Sequence, residues 1–206
     1  MIIREIKTTL SDFGKAHIAY FYFDTHDTDD KEKQDSLEGF RALLSSLLFQ
    51  LSGQSDQFSG VLRELYSKCR SGTETPMTSS LVQCLKDMLS ITGQPPTYLV
   101  FDALDECPDS CMPSSRDKVL GLVEEIVQLR HPNLRLCVTS RPEYDIRSVL
   151  KPLATQKISL HDEPEQMKDI ETYVRSVVRS MRKWTVKDQE IQDMVIDNLV
   201  EKADGM

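Results

Sequence analysis

The run Tyr98-Leu99-Val100-Phe101 is apolar at every position and passes directly into Asp102-Ala103-Leu104-Asp105-Glu106. A segment this short with both alternating sets of side chains apolar reads as a strand covered on both faces, the condition of a parallel sheet flanked by helices. The carboxylates that follow then fall at the carboxyl edge of the sheet, where open α/β folds take their ligands. Two more runs share this character. Ile18-Ala19-Tyr20-Phe21-Tyr22-Phe23 is short and aromatic, and Leu134-Arg135-Leu136-Cys137-Val138-Thr139-Ser140 ends at Arg141-Pro142, again with a charge at the carboxyl end. A fourth, shorter strand is expected at Lys157 to Leu160.

Between the strands the period changes to that of helices. Ile2, Ile3, Ile6 and Leu10 mark one helix, and Leu37, Phe40, Leu44, Leu47, Leu48 and Leu51 another, whose leucines, Leu43 included, are core rather than a zipper. Phe58 to Cys69, Met77 to Ile91 with Thr78 as N-cap, Val119 to Leu129 and Tyr144 to Leu150 follow. After His161-Asp162-Glu163-Pro164 the pattern is wholly helical, with one helix around Met167 to Val178 and another from Ile191 to Leu199. The expected organisation is an α/β parallel-sheet core over residues 1–163 and a helical extension over 164–206.

Composition narrows the function. A formal net charge of -8 gives a field that repels a polyphosphate backbone, so nucleic acid is excluded as a partner. No apolar run approaches the ~20 residues of a bilayer span, which excludes a membrane-spanning role. Five cysteines without framework spacing match a reducing, cytoplasmic setting.

The rim residues point to phosphate chemistry. One Asp at a strand end can orient Mg²⁺ and its waters while a neighbouring acid positions the attacking water, because phosphoryl transfer needs charge neutralisation and alignment. Asp102 is the candidate metal ligand, and Asp105 and Glu106 are the candidate catalytic acids. Arg141, with Ser140 beside it, presents a planar, permanent cation to a terminal phosphate. A plainer account covers the same residues: acids decorating a helix N-terminus, and Arg141 in a structural ion pair with Asp102 or Glu106.

In order and spacing, Tyr98 to Cys107 resembles the extended Walker B segment of NACHT domains, and Leu136 to Pro142 resembles their sensor 1 strand. The aromatic Ala19 to Asp24 strand, the Ser36 to Gln50 helix and the Asp169 to Val174 helix are likewise similar to the NACHT and nephrocystin-like P-loop NTPase domains abundant in fungal STAND proteins. The resemblance implies a nucleotide-gated signalling switch, with ATP or ADP and Mg²⁺ as cofactors and other STAND-type subunits, homo-oligomers among them, as partners. It also implies a first strand between the sensor 1 strand and the strand at Lys157.

No G-x-x-x-x-G-K-[ST] run, the loop whose N–H groups and Lys cradle phosphates, occurs in the sequence. Ile2 to Leu10 then matches the tail of the helix that such a loop opens, and the chain reads as a sheet lacking its first strand. Nucleotide binding is therefore expected to be weak or absent, with no measurable ATPase activity, and two classes stay open: a piece of a nucleotide-dependent switch, or a non-catalytic interaction remnant.

Other groups carry less. Cys107 and Cys111 form a C-x-x-x-C pair without a second pair nearby, short of the four ligands of structural zinc. His17, His26, His131 and His161 sit at expected loop or strand ends, where solvent-facing roles are expected, with no nucleophile pattern around them. Trp184 with Arg179, Arg182 and Lys183 fits a helix covering the sheet edge better than a membrane surface.

Overall fold

A computed structural model describes residues 16–24, 35–109, 113–159, 164–180 and 189–202. The expected helix at Ile2 to Leu10, and His26, Cys111, His161, Arg182, Lys183 and Trp184, lie outside the described residues. The chain divides into two compact units, Met1–Leu153 and Ala154–Met206.

The first unit alternates strands and helices. β1 (His17–Tyr22) is followed by α1 (Asp35–Ser52), α2 (Asp56–Lys68) and α3 (Thr78–Leu89). Then come β2 (Thr97–Asp102), a 3₁₀ turn at Leu104–Glu106, α4 (Ser115–Gln128), β3 (Leu134–Val138) and α5 (Tyr144–Leu153). The strands form one parallel sheet in the order β1-β2-β3, with Phe21 opposite Phe101 and Phe101 opposite Val138. Parallel neighbours need long crossovers, which the helices supply.

The sheet has two unlike faces because side chains alternate along a strand. Ala19, Phe21, Leu99, Phe101, Leu136 and Val138 join the main core with α1, α3 and α4. Leu43, Leu44, Leu47 and Leu51 of α1 are fully buried there, each contributing about 2–3 kcal/mol of transfer free energy. The other face carries a smaller cluster of Ile18 and Val100, with Tyr20, Tyr98 and Cys137 packed around it.

The outer edge of β1 is closed by side-chain amides. The Ile18 N–H donates to Gln54 Oε1 (2.9 Å) and Gln54 Nε2 donates back to the Ile18 carbonyl (2.7 Å). Gln50 does the same for Tyr20, at 3.1 and 2.8 Å. A primary amide reproduces the donor and acceptor of a peptide group, so two glutamines satisfy backbone groups that a further strand could otherwise pair.

Several expectations need correction. α4 starts a turn before Val119, because Ser114 and Asp117 form a reciprocal capping box, each accepting the other's backbone N–H at 2.9 Å. Thr78 is the first helical residue of α3 and Met77 holds the cap position without a side-chain bond; the Thr78 hydroxyl instead accepts from Arg41 at 3.4 Å. His17 is buried, not solvent-facing: its ring meets Phe58 edge-on at 4.9 Å and its Nε2 lies 3.0 Å from Gln94 Oε1. Lys157 to Ser159 form no strand, and Ile158 is exposed, with no neighbouring strand among the described residues to pair with it.

The second unit holds α6 (Pro164–Ser180) and α7 (Gln189–Lys202). Proline suits the first helical position, where its missing N–H has no intrahelical partner to lose. Val178 and Ile196 are its buried side chains among the described residues. Arg175 bonds Glu171 one turn earlier at 2.7 Å, and Arg179 approaches Asp193 of the other helix at 3.6 Å. No helix among the described residues is long and apolar enough to cross a membrane.

Candidate functional site

With Phe101 opposite Val138, the segments Asp102–Glu106 and Thr139–Arg141 leave the sheet side by side. Thr139 joins them. Its N–H donates to the Phe101 carbonyl and its own carbonyl accepts from Leu104 N–H, both at 2.9 Å. Its hydroxyl oxygen accepts from Ala103 N–H at 3.0 Å, while the hydroxyl proton goes to Asp102 Oδ1. Ala103 takes the left-handed conformation, φ 57 and ψ 47, which costs a residue bearing a Cβ about 1–2 kcal/mol. That reversal turns Leu104–Glu106 back across the end of β3.

Asp105 holds the other side. Its Oδ1 accepts the Arg141 N–H at 3.0 Å and its Oδ2 lies 3.4 Å from Arg141 Nε. The carboxylate is almost buried, whereas the Arg141 side chain is 72% exposed. The guanidinium therefore lies largely in water on a backbone held by Asp105, and the ion pair itself contributes little. Arg141 pairs with Asp105 rather than with Asp102 or Glu106, and the Asp102 carboxylate is engaged by Thr139. The carboxylate of Glu106 and the hydroxyl of Ser140 have no hydrogen bond or ion pair among the described residues.

Arg116 is the residue that sequence reading missed. It lies in the first turn of α4, is buried, and joins both rim loops. Its guanidinium donates to the carbonyls of Asp105 (2.7 Å) and Cys107 (3.1 Å) and to the carboxylates of Glu143 (2.5 Å) and Asp145 (3.1 Å). Burial works against its charge, but the bond to Asp145 and the charge of Glu143 more than offset it, so the guanidinium is held above its ordinary value. For Asp145 burial is likewise outweighed, here by the bond from Arg116, and its carboxyl sits below its ordinary value. A cation in a helix's first turn opposes the helix dipole, and that local misfit was the available signal of a carboxylate partner.

Cys107 is buried, and burial pushes its thiol up to about 12. The other half of the C-x-x-x-C pair, Cys111, lies outside the described residues. Among the described residues no three His, Cys, Asp or Glu side chains converge as a metal site. Magnesium asks for less than that: it keeps several waters and binds through one or two carboxylates plus phosphate oxygens. Asp102 fits that role, since Thr139 orients it through Oδ1 and no described residue bonds its other oxygen.

Fold and rim define a class: an α/β protein with a parallel sheet compatible with a P-loop-like fold, carrying acids after one strand and an arginine after its neighbour. The family description Nephrocystin 3, N-terminal, matches residues 1–141, and the chain belongs to that family. No curated protein and no solved structure matches it.

Proposed function

We propose that this chain carries the acid and arginine rim of a nucleotide-dependent signalling switch of the NACHT kind. In this reading Asp102 orients Mg²⁺ and its waters, and Arg141, with Ser140 beside it, meets the terminal phosphate of ATP. Asp105 and Glu106 divide the remaining work. Asp105 anchors the backbone of the arginine loop, which leaves Glu106, without a side-chain partner among the described residues, to position the attacking water. The observation that carries the reading is the pairing of Asp102 with Thr139 and of Asp105 with Arg141 at the carboxyl ends of neighbouring parallel strands. Family membership supports it. Cytoplasmic placement and assembly with other STAND-type subunits follow from the same reading.

Without a G-x-x-x-x-G-K-[ST] loop in its 206 residues, the chain lacks the backbone cradle that supplies most phosphate affinity. Calorimetric titration with Mg-ATP tests this. The expected result is binding weaker than micromolar, dependent on Mg²⁺ and lost in Asp102→Asn, with no hydrolysis above background. A second reading, a non-catalytic interaction remnant, draws on the fact that Asp102 and Asp105 already have protein partners. Binding that is absent, or indifferent to Mg²⁺ and to Asp102→Asn, favours it.

A further inference from the structure

The second face of the sheet is arranged in rows across the strands. Tyr98 lies between Ile18 and Arg135, Val100 lies between Tyr20 and Cys137, and Asp102 lies opposite Tyr22. In-register parallel neighbours show their side chains to the same face, so Thr139, two residues beyond Cys137, completes the last row. The middle row is apolar and packed around Val100. The last row differs: it sets a phenol, a carboxylate and a hydroxyl across the carboxyl edge, on strands about 4.8 Å apart.

The register and one bond fix Asp102 on this face: Thr139 donates its hydroxyl proton to Oδ1. Tyr22 stands on the other side of the carboxylate. Its ring meets Tyr20 edge-on at 5.5 Å, which sets its plane, and the side chain is 52% exposed. Its hydroxyl has no hydrogen-bond partner among the described residues.

We propose that Tyr22 is a ligand-contacting residue of the rim: with a hydrated divalent cation on Asp102, the Tyr22 hydroxyl holds one water of the cation's shell on the side away from Thr139. This rests on the reading of Asp102 as the metal ligand. A divalent cation held by one carboxylate keeps several waters, so a polar side chain beside Asp102 would meet its hydration shell rather than the ion. Thr139 orients the carboxylate through one oxygen and Tyr22 engages the hydration shell beside the other, so the row forms a cradle with the acid at its centre.

The test is titration of the full chain with Mn-ATP, following the Mn²⁺ signal by electron paramagnetic resonance and bound-ion hydration by water proton relaxation. Tyr22→Phe removes only the hydroxyl and, at a half-exposed position, leaves the fold intact, which thermal unfolding checks. The expected result is that Asp102→Asn abolishes rim binding, while Tyr22→Phe weakens it about three- to tenfold, the scale of one hydrogen bond, and changes the relaxation of the bound ion. Loss of binding in Asp102→Asn with Tyr22→Phe unchanged overturns the role of Tyr22 and leaves the metal reading standing. Binding that is absent, or equal in Asp102→Asn and the parent chain, overturns both.

Discussion

The hydroxyl of Thr139 donates to the carboxylate of Asp102 across the boundary between two parallel strands, and the same oxygen accepts the N–H of Ala103. One side chain thus serves both the candidate metal ligand and the left-handed residue that follows it. Thr139→Val keeps the shape but leaves a carboxylate oxygen and a backbone N–H unpaired. Chemical denaturation is expected to show a loss of about 1.5–3 kcal/mol, with Thr139→Ser retaining most of the stability.

Arg116 bridges the 3₁₀ turn that carries Asp105 and the first turn of α5, which carries Asp145. Arg116→Met leaves two carboxylates and two carbonyls without their shared donor. The carboxylates of Glu143 and Asp145 are about two-fifths exposed, so water recovers part of the loss, and about 2–3 kcal/mol of destabilisation is expected rather than the full figure for a wholly buried pair. Amide hydrogen exchange should show the loosening concentrated at residues 103–107 and 141–145, and uniform loosening of the whole unit would contradict this role.

The same cluster sets an acid limit. Asp145 has a folded value below its ordinary one, so its contribution is fully present above the ordinary carboxylate range and is lost as pH falls through the lowered folded value, in the region below about pH 4. Arg116 stays charged throughout. Denaturant midpoints measured from pH 7 down to 3 should therefore fall in the parent chain, with a shallower fall in Asp145→Asn.

Cys84 and Cys107 have thiols pushed up by burial to about 11 and about 12. At pH 8 neither forms appreciable thiolate in the folded chain. Mass-spectrometric mapping after iodoacetamide treatment should find both unmodified until denaturant is added, and rapid folded-state labelling at Cys107 would contradict its burial.

The helical core was readable because its signal is local. The leucines of α1 recur at helical spacing and pack where that spacing puts them, so Leu47→Ala should cost about 2–5 kcal/mol. The strand ending at Asp102 was readable for the same reason, since an apolar run closing on carboxylates needs no partner to be recognised. What the sequence hid depends on partners far along the chain. Arg116 finds Glu143 and Asp145 across β3, and His17 is buried because Phe58 and Gln94 close over it. Gln50 on the last turns of α1 and Gln54 just beyond its end close the edge of β1. At Lys157 the local pattern read as a strand, but a strand exists only through the neighbour that pairs with it. Of the rim itself, the placement of acids and arginine on adjacent strands was legible, whereas the choice of Asp105 as the partner of Arg141 was not.

Paramagnetic broadening by Mn-ATP, read amide by amide on the isotope-labelled chain, tests the rim most directly because it registers even millimolar binding. Broadening centred on Ala103, Leu104, Ser140 and Arg141, absent with Mg-ATP and abolished in Asp102→Asn, is the expected result. Broadening centred elsewhere, or the same pattern persisting in Asp102→Asn, would contradict it.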